Sequence, residues 1–504
     1  MQEKKWIRYY LIIISAIVCA VLFCGDISRG ETSGPIRNTQ TYYVNSAKGS
    51  DSATGLAPGL AWKTISRALK GELIPGDKLL LAGGQTVTET ITLPLTINGL
   101  PGKPIIISSY GKGRAVLQAG IKDGITLNGN TYISINEINL VGCGRKNGSD
   151  GAGVSLISTR NISLENMDIS GFRKAGISTG GDENTHILRI YAHDNGFAGI
   201  TTNGGWGNVP KTRNLYIAYC VTDNNPGDPK ILDNHSGNGI VVGGLEDGLI
   251  EYCEASNNGW DMPRQGNGPV GIWGFESNRL IIQHCISHDN KSPGLDGGGF
   301  DFDGGVTNSI LQYNLSYNNA GCGYLLCQYP GASPWKNNIV RYNVSFNDGA
   351  KNMQSGIGLW MGEEHIQDCE IYNNTIINPL HVITSLGDIP GFNYRNNIFV
   401  AGAEMLSGSF SKSHFVRNLY RTSGQVTSED NLTAIIADPG LILPSATDKL
   451  PTDPAKLSTM RWFRLKLASP ALGAGDSIKN NGARDLLGTR VPTVKPSIGA
   501  CEGK

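Results

Sequence analysis

The sequence predicts an all-β protein, a parallel β-solenoid preceded by an N-terminal cap. The first observation behind this is composition. The 504 residues include 67 Gly, and asparagine recurs in pairs such as Asn257-Asn258, Asn318-Asn319 and Asn373-Asn374. That usage favours many short strands joined by tight turns and excludes a helical bundle. The second is a repeat aligned on glycine: "GVSLIS" from Gly153, "GISTGG" from Gly176, "GITTNG" from Gly199, "GIVVGG" from Gly239, "GIWGFE" from Gly271, "GFDFDG" from Gly299, "GYLLCQ" from Gly323 and "GIGLWM" from Gly356. Each is followed by a further short apolar strand, as in "LIIQHCISHDN" or "SILQYNLSYNN". The third is the period of about 23 to 40 residues with loops of variable length, the signature of stacked solenoid coils. No leucine consensus or Trp-Asp signature recurs, so leucine-rich and propeller repeats do not fit. A formal net charge of zero and a pI of about 7.1 give no reason to expect capture of nucleic acid or of an anionic membrane surface.

Taken in order, residues 1–30 open with Lys4, Lys5 and Arg8 and continue into an apolar run somewhat short for a membrane span. They read as an export signal or signal anchor, which predicts a secreted, periplasmic or cell-surface protein of bacterial type with no other membrane contact. Cys24 before Gly-Asp resembles a lipoprotein site, but the bulky Phe23 argues against lipid attachment. Residues 41–84 form the cap: a strand, a Gly/Ser/Asp-rich turn and a short amphipathic helix. Residues 85–420 form the solenoid, and residues 421–504 a closing segment.

Ten cysteines in an exported chain ordinarily suggest disulfides. Cys220, Cys253 and Cys285, however, each follow an aromatic residue or His at spacings close to thirty. They read as one repeat position filled by small buried residues, continued by Asn314, Asn343 and Asn374 as an internal ladder. Metal ligation by these thiols would require mixed ligands converging on a point, and no CxxC or zinc-type spacing occurs.

At this level of detail the chain resembles the secreted right-handed parallel β-helix proteins with the pectin-lyase-like fold. "YYVNSAKGSDSATGLAPGLAWKTISRAL" looks like their opening, and "FRLKLASPALGAG" with "PSIGACE" looks like their close. The resemblance implies a carbohydrate-active protein acting on a polysaccharide or oligosaccharide. It leaves the reaction open, since the fold hosts lyases, hydrolases, epimerases and adhesins.

The residue after each repeat glycine is Val154, Ile177, Ile200, Ile240, Ile272, Phe300, Tyr324 or Ile357, so this position faces the core. Alternation then sends the next residue, and the one two further on, outward. One outward column reads Ser178, Thr201, Val241, Trp273, Asp301, Leu325; the other reads Asn203, Gly243, Phe275, Asp303, Cys327, Trp360. A solvated face should carry Lys, Glu, Ser and Thr. Aromatic residues beside paired carboxylates are instead what a sugar-binding cleft needs, since C–H faces stack on rings while hydroxyls bond carboxylates. The plainer alternative is that long loops after Gly204 and Gly244 cover the aromatics and make a satellite core.

Asp301 and Asp303 lie roughly 7 Å apart along the strand, and Glu276 in the neighbouring coil comes within reach. Such a pair suits glycoside hydrolysis, one carboxyl protonated beside one ionised. Asp301, Asp303 and Glu276 are therefore the expected catalytic residues, with Trp273, Phe275, Trp360, Asn203 and Lys291 expected to bind substrate and no cofactor required. The competing reaction is β-elimination from a uronate glycan, with Ca²⁺ held by Asp296, Asp301 and Asp303 and Lys291 as base. The strand lysine of one lyase pattern is aspartate here, and "NNAGCGYLLCQ" lacks an acidic pair to complete a calcium site. A non-catalytic carbohydrate-binding adhesin is the third reading. His235, His284 and His288 read as structural hydrogen-bonders, Glu363 and Glu364 as a solvated loop pair, and the protein is expected to be a monomer.

Overall fold

The computed structural model describes residues 37–503 apart from 72, 149–150, 206–207, 350, 353, 363–365, 403–404 and 422–432. Residues 1–30, expected to be an export signal or anchor, and Glu363 and Glu364 lie outside the described residues. Thr39–Lys504 form one compact unit, and no helix among the described residues is long and apolar enough to cross a membrane.

The strict alternation after each repeat glycine becomes one continuous parallel sheet of twelve strands, running from Ile91–Thr92 to Leu406–Gly408. Its inward column is in register as the sequence predicts: Ile200 pairs with Ile240, Ile240 with Ile272, Ile272 with Phe300, Phe300 with Tyr324 and Tyr324 with Ile357. All six are fully buried, each worth about 1.5 to 3 kcal/mol of burial, and the Phe300 and Tyr324 rings stack at 5.4 Å. The glycine before this column is required by close approach: a Cβ on Gly271 would lie 2.0 Å from Ser287 Oγ.

The other two faces of each coil merge into one twenty-six-stranded sheet, because Arg160–Ser170 and Glu183–His193 continue around the corner between them. Later coils turn that corner at one left-handed residue each, Tyr219, Tyr252, His284, Tyr313 and Tyr342, whose rings stack outside at 5.0 to 5.7 Å. The next residue points inward and builds the ladder. Cys220, Cys253 and Cys285 are free and buried; from Cys285 onward each backbone N–H donates to the next asparagine, Asn314, Asn343, Asn374, Asn397 and Asn418. The eight described cysteines are all free thiols.

A second internal ladder runs up the corner that leads into the twelve-stranded sheet: Asn195, Asn225, Asn258, Asn290, Asn319 and Asp348, each accepting from the backbone N–H of the coil before. The residue preceding each of these is again left-handed.

At the N-terminal end Thr41–Val44 already pairs in parallel with Lys78–Ala82, so the stack begins there. The short helix Ile65–Leu69 is capped by Thr64, whose side chain accepts from Arg67 N, and it buries Ile65 and Ala68. Residues beyond 440 run back along the outside of the coils, packing Leu457, Trp462 and Phe463 against Tyr313, Tyr342 and Tyr372.

Candidate active site

The long loops that enter the twelve-stranded sheet (224–237, 257–269, 289–297) and those that leave it (303–306, 328–334) rise on either side of its outer face. Between them lies a cavity of about 1200 Å³. Its floor is made of the two outward columns: Ser178, Thr201, Val241, Trp273, Asp301 and Leu325 in one, Asn203, Phe275, Asp303, Cys327 and Trp360 in the other.

Asp301 faces the floor because it alternates with Phe300 and Phe302, both fully buried on the other side of Gly298–Phe302. It is 3 % exposed, and its Oδ1 has no hydrogen-bond partner among the described residues. Burial first, then the charges of Asp303 and Asp296, push its carboxyl well above the ordinary aspartate range. Asp303 follows the strand end, which is pinned from the far side by Trp335 Nε1 donating to the Phe302 carbonyl at 2.9 Å. Its Oδ1 accepts from Gly304 N at 2.7 Å and from the Cys327 thiol. Burial raises the Asp303 carboxyl to about 6, against the lowering effect of those two donors. One ligand atom each of Asp301, Asp303 and Cys327 lies within 4.8 Å of the other two. The two carboxyls thus differ in kind: one has no donor to stabilise its charge, the other has two.

The structure also qualifies the predicted platform. Trp273 is only 4 % exposed, because His235, from the 224–237 loop, stands edge-on over its ring at 4.9 Å. Trp273 Nε1 donates to Asn238 Oδ1 at 3.0 Å, and Asn238 Nδ2 lies 3.0 Å from His235 Nδ1. Burial and Arg264 hold His235 down to about 4, so its ring is neutral at neutral pH and its Nδ1 accepts. Trp273, Val241, Ala198, Val270 and Ala175 form a small apolar cluster beside Phe197 and Phe275, so Trp273 does lie in a satellite core. Its cover is the 224–237 loop and not a loop after Gly244, which leads directly into Leu245–Glu251. Phe275 and Trp360 are half-buried and line the cavity, and Asn203 is exposed at its edge.

Two expected residues are not brought to the cavity. Glu276 adopts φ 45° at the end of Val270–Phe275, which breaks the alternation. Its Oε1 accepts from Ser333 N at 2.8 Å and from Tyr329 OH at 3.4 Å, behind the lining; it reaches Asp303 only through its field. Lys291 lies on the outside of the second corner, where its Nζ donates to Asn257 Oδ1 at 2.8 Å. Asp296 lines the cavity, but its carboxylate is engaged by Gly268 N at 2.8 Å and stays outside the converging group.

Tyr329, Arg264 and Lys174 are among the further lining residues and lie outside the expected set. Cys327 carried a signal, since it occupies the same outward column as Asp303 one coil later. Arg264 and Lys174 come from irregular segments whose approach to the sheet follows no period.

The sequence profile described as "Right handed beta helix region" matches residues 229–418. Among solved structures, the chain is similar to a GH136 lacto-N-biosidase from Eubacterium ramulus at 18 % identity, covering 76 % of this chain and 67 % of that one with a TM-score of 0.54. The chain is a right-handed parallel β-helix. An alginate lyase of the PL6 family resembles the β-helix at 16 % identity over 82 % of this chain and 59 % of its own, with a TM-score of 0.55. A mannuronic acid specific polysaccharide family 6 lyase from the human gut microbiota does so at 12 % identity over 80 % and 92 %, with a TM-score of 0.54. These likenesses are of fold. No curated protein matches the chain in sequence.

Proposed function

We propose that the β-helix is an exported glycoside hydrolase that cleaves a polysaccharide or oligosaccharide in this cavity with Asp301 and Asp303. The observation that carries the reading is the close pair of carboxyls in unequal surroundings at the floor of a large cavity. Asp301, without a donor, is the protonated member and gives its proton to the glycosidic oxygen. Asp303, held by Gly304 N–H and the Cys327 thiol, is the ionised member and attacks the anomeric carbon. The C–O bond to the leaving sugar breaks as the ester to Asp303 forms. Water then attacks the anomeric carbon and gives its proton to Asp301, and the bond from that carbon to the Asp303 oxygen breaks, freeing the carboxylate.

A separation within 4.8 Å favours this retaining course, for which carboxyls sit about 5 to 5.5 Å apart, over the inverting one at about 6.5 to 9.5 Å. Phe275 and Trp360 supply rings for sugar stacking, whereas Trp273 is buried beneath His235. The relatives named above for action on glycans, a lacto-N-biosidase and two lyases, support the substrate class.

The lyase reading requires Ca²⁺, a hard ion that takes six to eight oxygens. The converging donors here are two carboxylates and a thiol, and Lys291 is not at the cavity, so the residues do not fit that group and no step is assigned to it. The deciding experiment is a glycan panel with products read by mass. A product heavier by one water is expected, and Asp301→Asn and Asp303→Asn should each lower turnover by about 100- to 10,000-fold. An unsaturated uronate product would establish elimination instead, and binding without turnover would establish an adhesin.

A further inference from the structure

The same floor carries a second chemistry. Asp301, Asp303 and Cys327 present three ligand atoms within 4.8 Å of one another. Independently, the Asp301 Oδ1 oxygen is unpartnered in a residue that is 3 % exposed. An orphaned buried carboxylate oxygen is costly unless something meets it. All three side chains open onto the cavity. Tetrahedral zinc, with bonds of about 2.0 to 2.2 Å to oxygen and 2.3 Å to sulfur, holds its ligand atoms about 3.3 to 3.8 Å apart. Side-chain rotation of less than about 2 Å reaches that spacing from the one observed. A thiolate with two carboxylates selects a borderline ion of the zinc type over Ca²⁺ or Mg²⁺.

We propose that Asp301, Asp303 and Cys327 form a three-ligand site for a zinc-type divalent cation, its fourth position open to the cavity. Binding displaces the proton of Asp301 and that of the Cys327 thiol, so two protons leave as one cation enters. The cation neutralises the repulsion between the two carboxylates. Because it occupies both carboxyls of the hydrolytic pair, it switches the hydrolase off; this last consequence rests on the proposed function, while the site itself does not.

The test is a titration of the full chain with Co²⁺, read by the near-ultraviolet thiolate-to-cobalt charge-transfer band. One equivalent should develop the band, Zn²⁺ should abolish it by displacement, and millimolar Ca²⁺ should leave it intact. Cys327→Ser should lose the band. Asp301→Asn should keep a thiolate band while binding at least about tenfold more weakly. Zn²⁺ should raise the melting temperature of the parent and not of Cys327→Ser, which also shows that the variant is folded. Absence of the band, or its persistence in Cys327→Ser, overturns the proposal. If the band behaves as expected and no glycan is hydrolysed, the cation site stands and the hydrolase reading falls.

Discussion

Replacing Asn290 with Ala removes one rung of the second ladder, and the structure fixes what that costs. Asn290 is 1 % exposed. Its Nδ2 donates to Ala255 O at 3.2 Å, Ser287 Oγ at 3.0 Å and Asn319 Oδ1 at 2.9 Å. Its Oδ1 accepts from Asn258 N at 3.2 Å and Asn258 Nδ2 at 2.9 Å. After truncation Asn258 Nδ2 keeps the Thr222 carbonyl at 3.0 Å, and Asn319 Oδ1 keeps the backbone N–H of residue 290 at 3.0 Å. The group left without any partner is the buried Asn258 N–H. That orphan costs about 1 to 3 kcal/mol, and each of the other four bonds contributes about 0.5 to 1.5 kcal/mol, which brings the expected loss to about 6 kcal/mol. The control is the neighbouring position of an asparagine pair, Asn257→Gly. Asn257 is left-handed at φ 54°, glycine accepts that conformation, and the cost should stay below about 1 kcal/mol. Equilibrium urea unfolding of both variants measures the difference. If Asn290→Ala falls within 1 kcal/mol of Asn257→Gly, the internal ladder does not hold the coils together as argued.

Phe302→Ala, at a fully buried inward site, should cost about 3 to 5 kcal/mol, whereas Asp303→Asn on the other face should cost nothing at neutral pH; equal losses in thermal melts would contradict the assigned faces. Asp303 binds its proton more tightly folded, at about 6 against an ordinary 3.8, so its contribution is complete below about pH 4 and lost as pH rises through 6. In chelator-containing buffer, Asp303→Asn should therefore match the parent at pH 4 and exceed it at pH 8 by about 3 kcal/mol; a pH-independent difference would refute the assignment. Trp360→Ala should weaken oligosaccharide binding in calorimetry while leaving the melting temperature nearly unchanged, since Trp360 is half-buried at the cavity edge; a loss of several degrees would mean that it is structural.

The fold was legible because a period of two is unforgiving: one slip would send Phe300 outward, so the glycine-led columns could be read letter by letter. The Cys220 ladder was legible for the same reason. The second ladder was not, although Asn258 and Asn319 within it stand in conspicuous pairs. In a pair such as Asn257-Asn258 one member turns the corner outside and the next fills the inside, and composition alone does not separate those roles. The aspartates were placed on the right face, but the surroundings of Trp273 were set by His235 from an irregular loop, beyond the reach of periodicity. Glu276 and Lys291 share one cause: each sits where the alternation has ended, Glu276 in a left-handed turn and Lys291 past a corner, so counting by twos no longer says where a side chain goes.

Register has one more consequence. Trp273 pairs with Asp301 and Asp301 with Leu325, so successive coils set one letter each into a row spaced by about 4.8 Å. A chain of sugars lying along the part of that row beyond the loop-covered Trp273 would meet a different residue at each step. A substitution at Leu325 or Thr384 therefore alters one step and leaves its neighbours as they were. The floor behaves as movable type: the word it spells can be reset one character at a time, while the frame that holds the characters stays locked from behind.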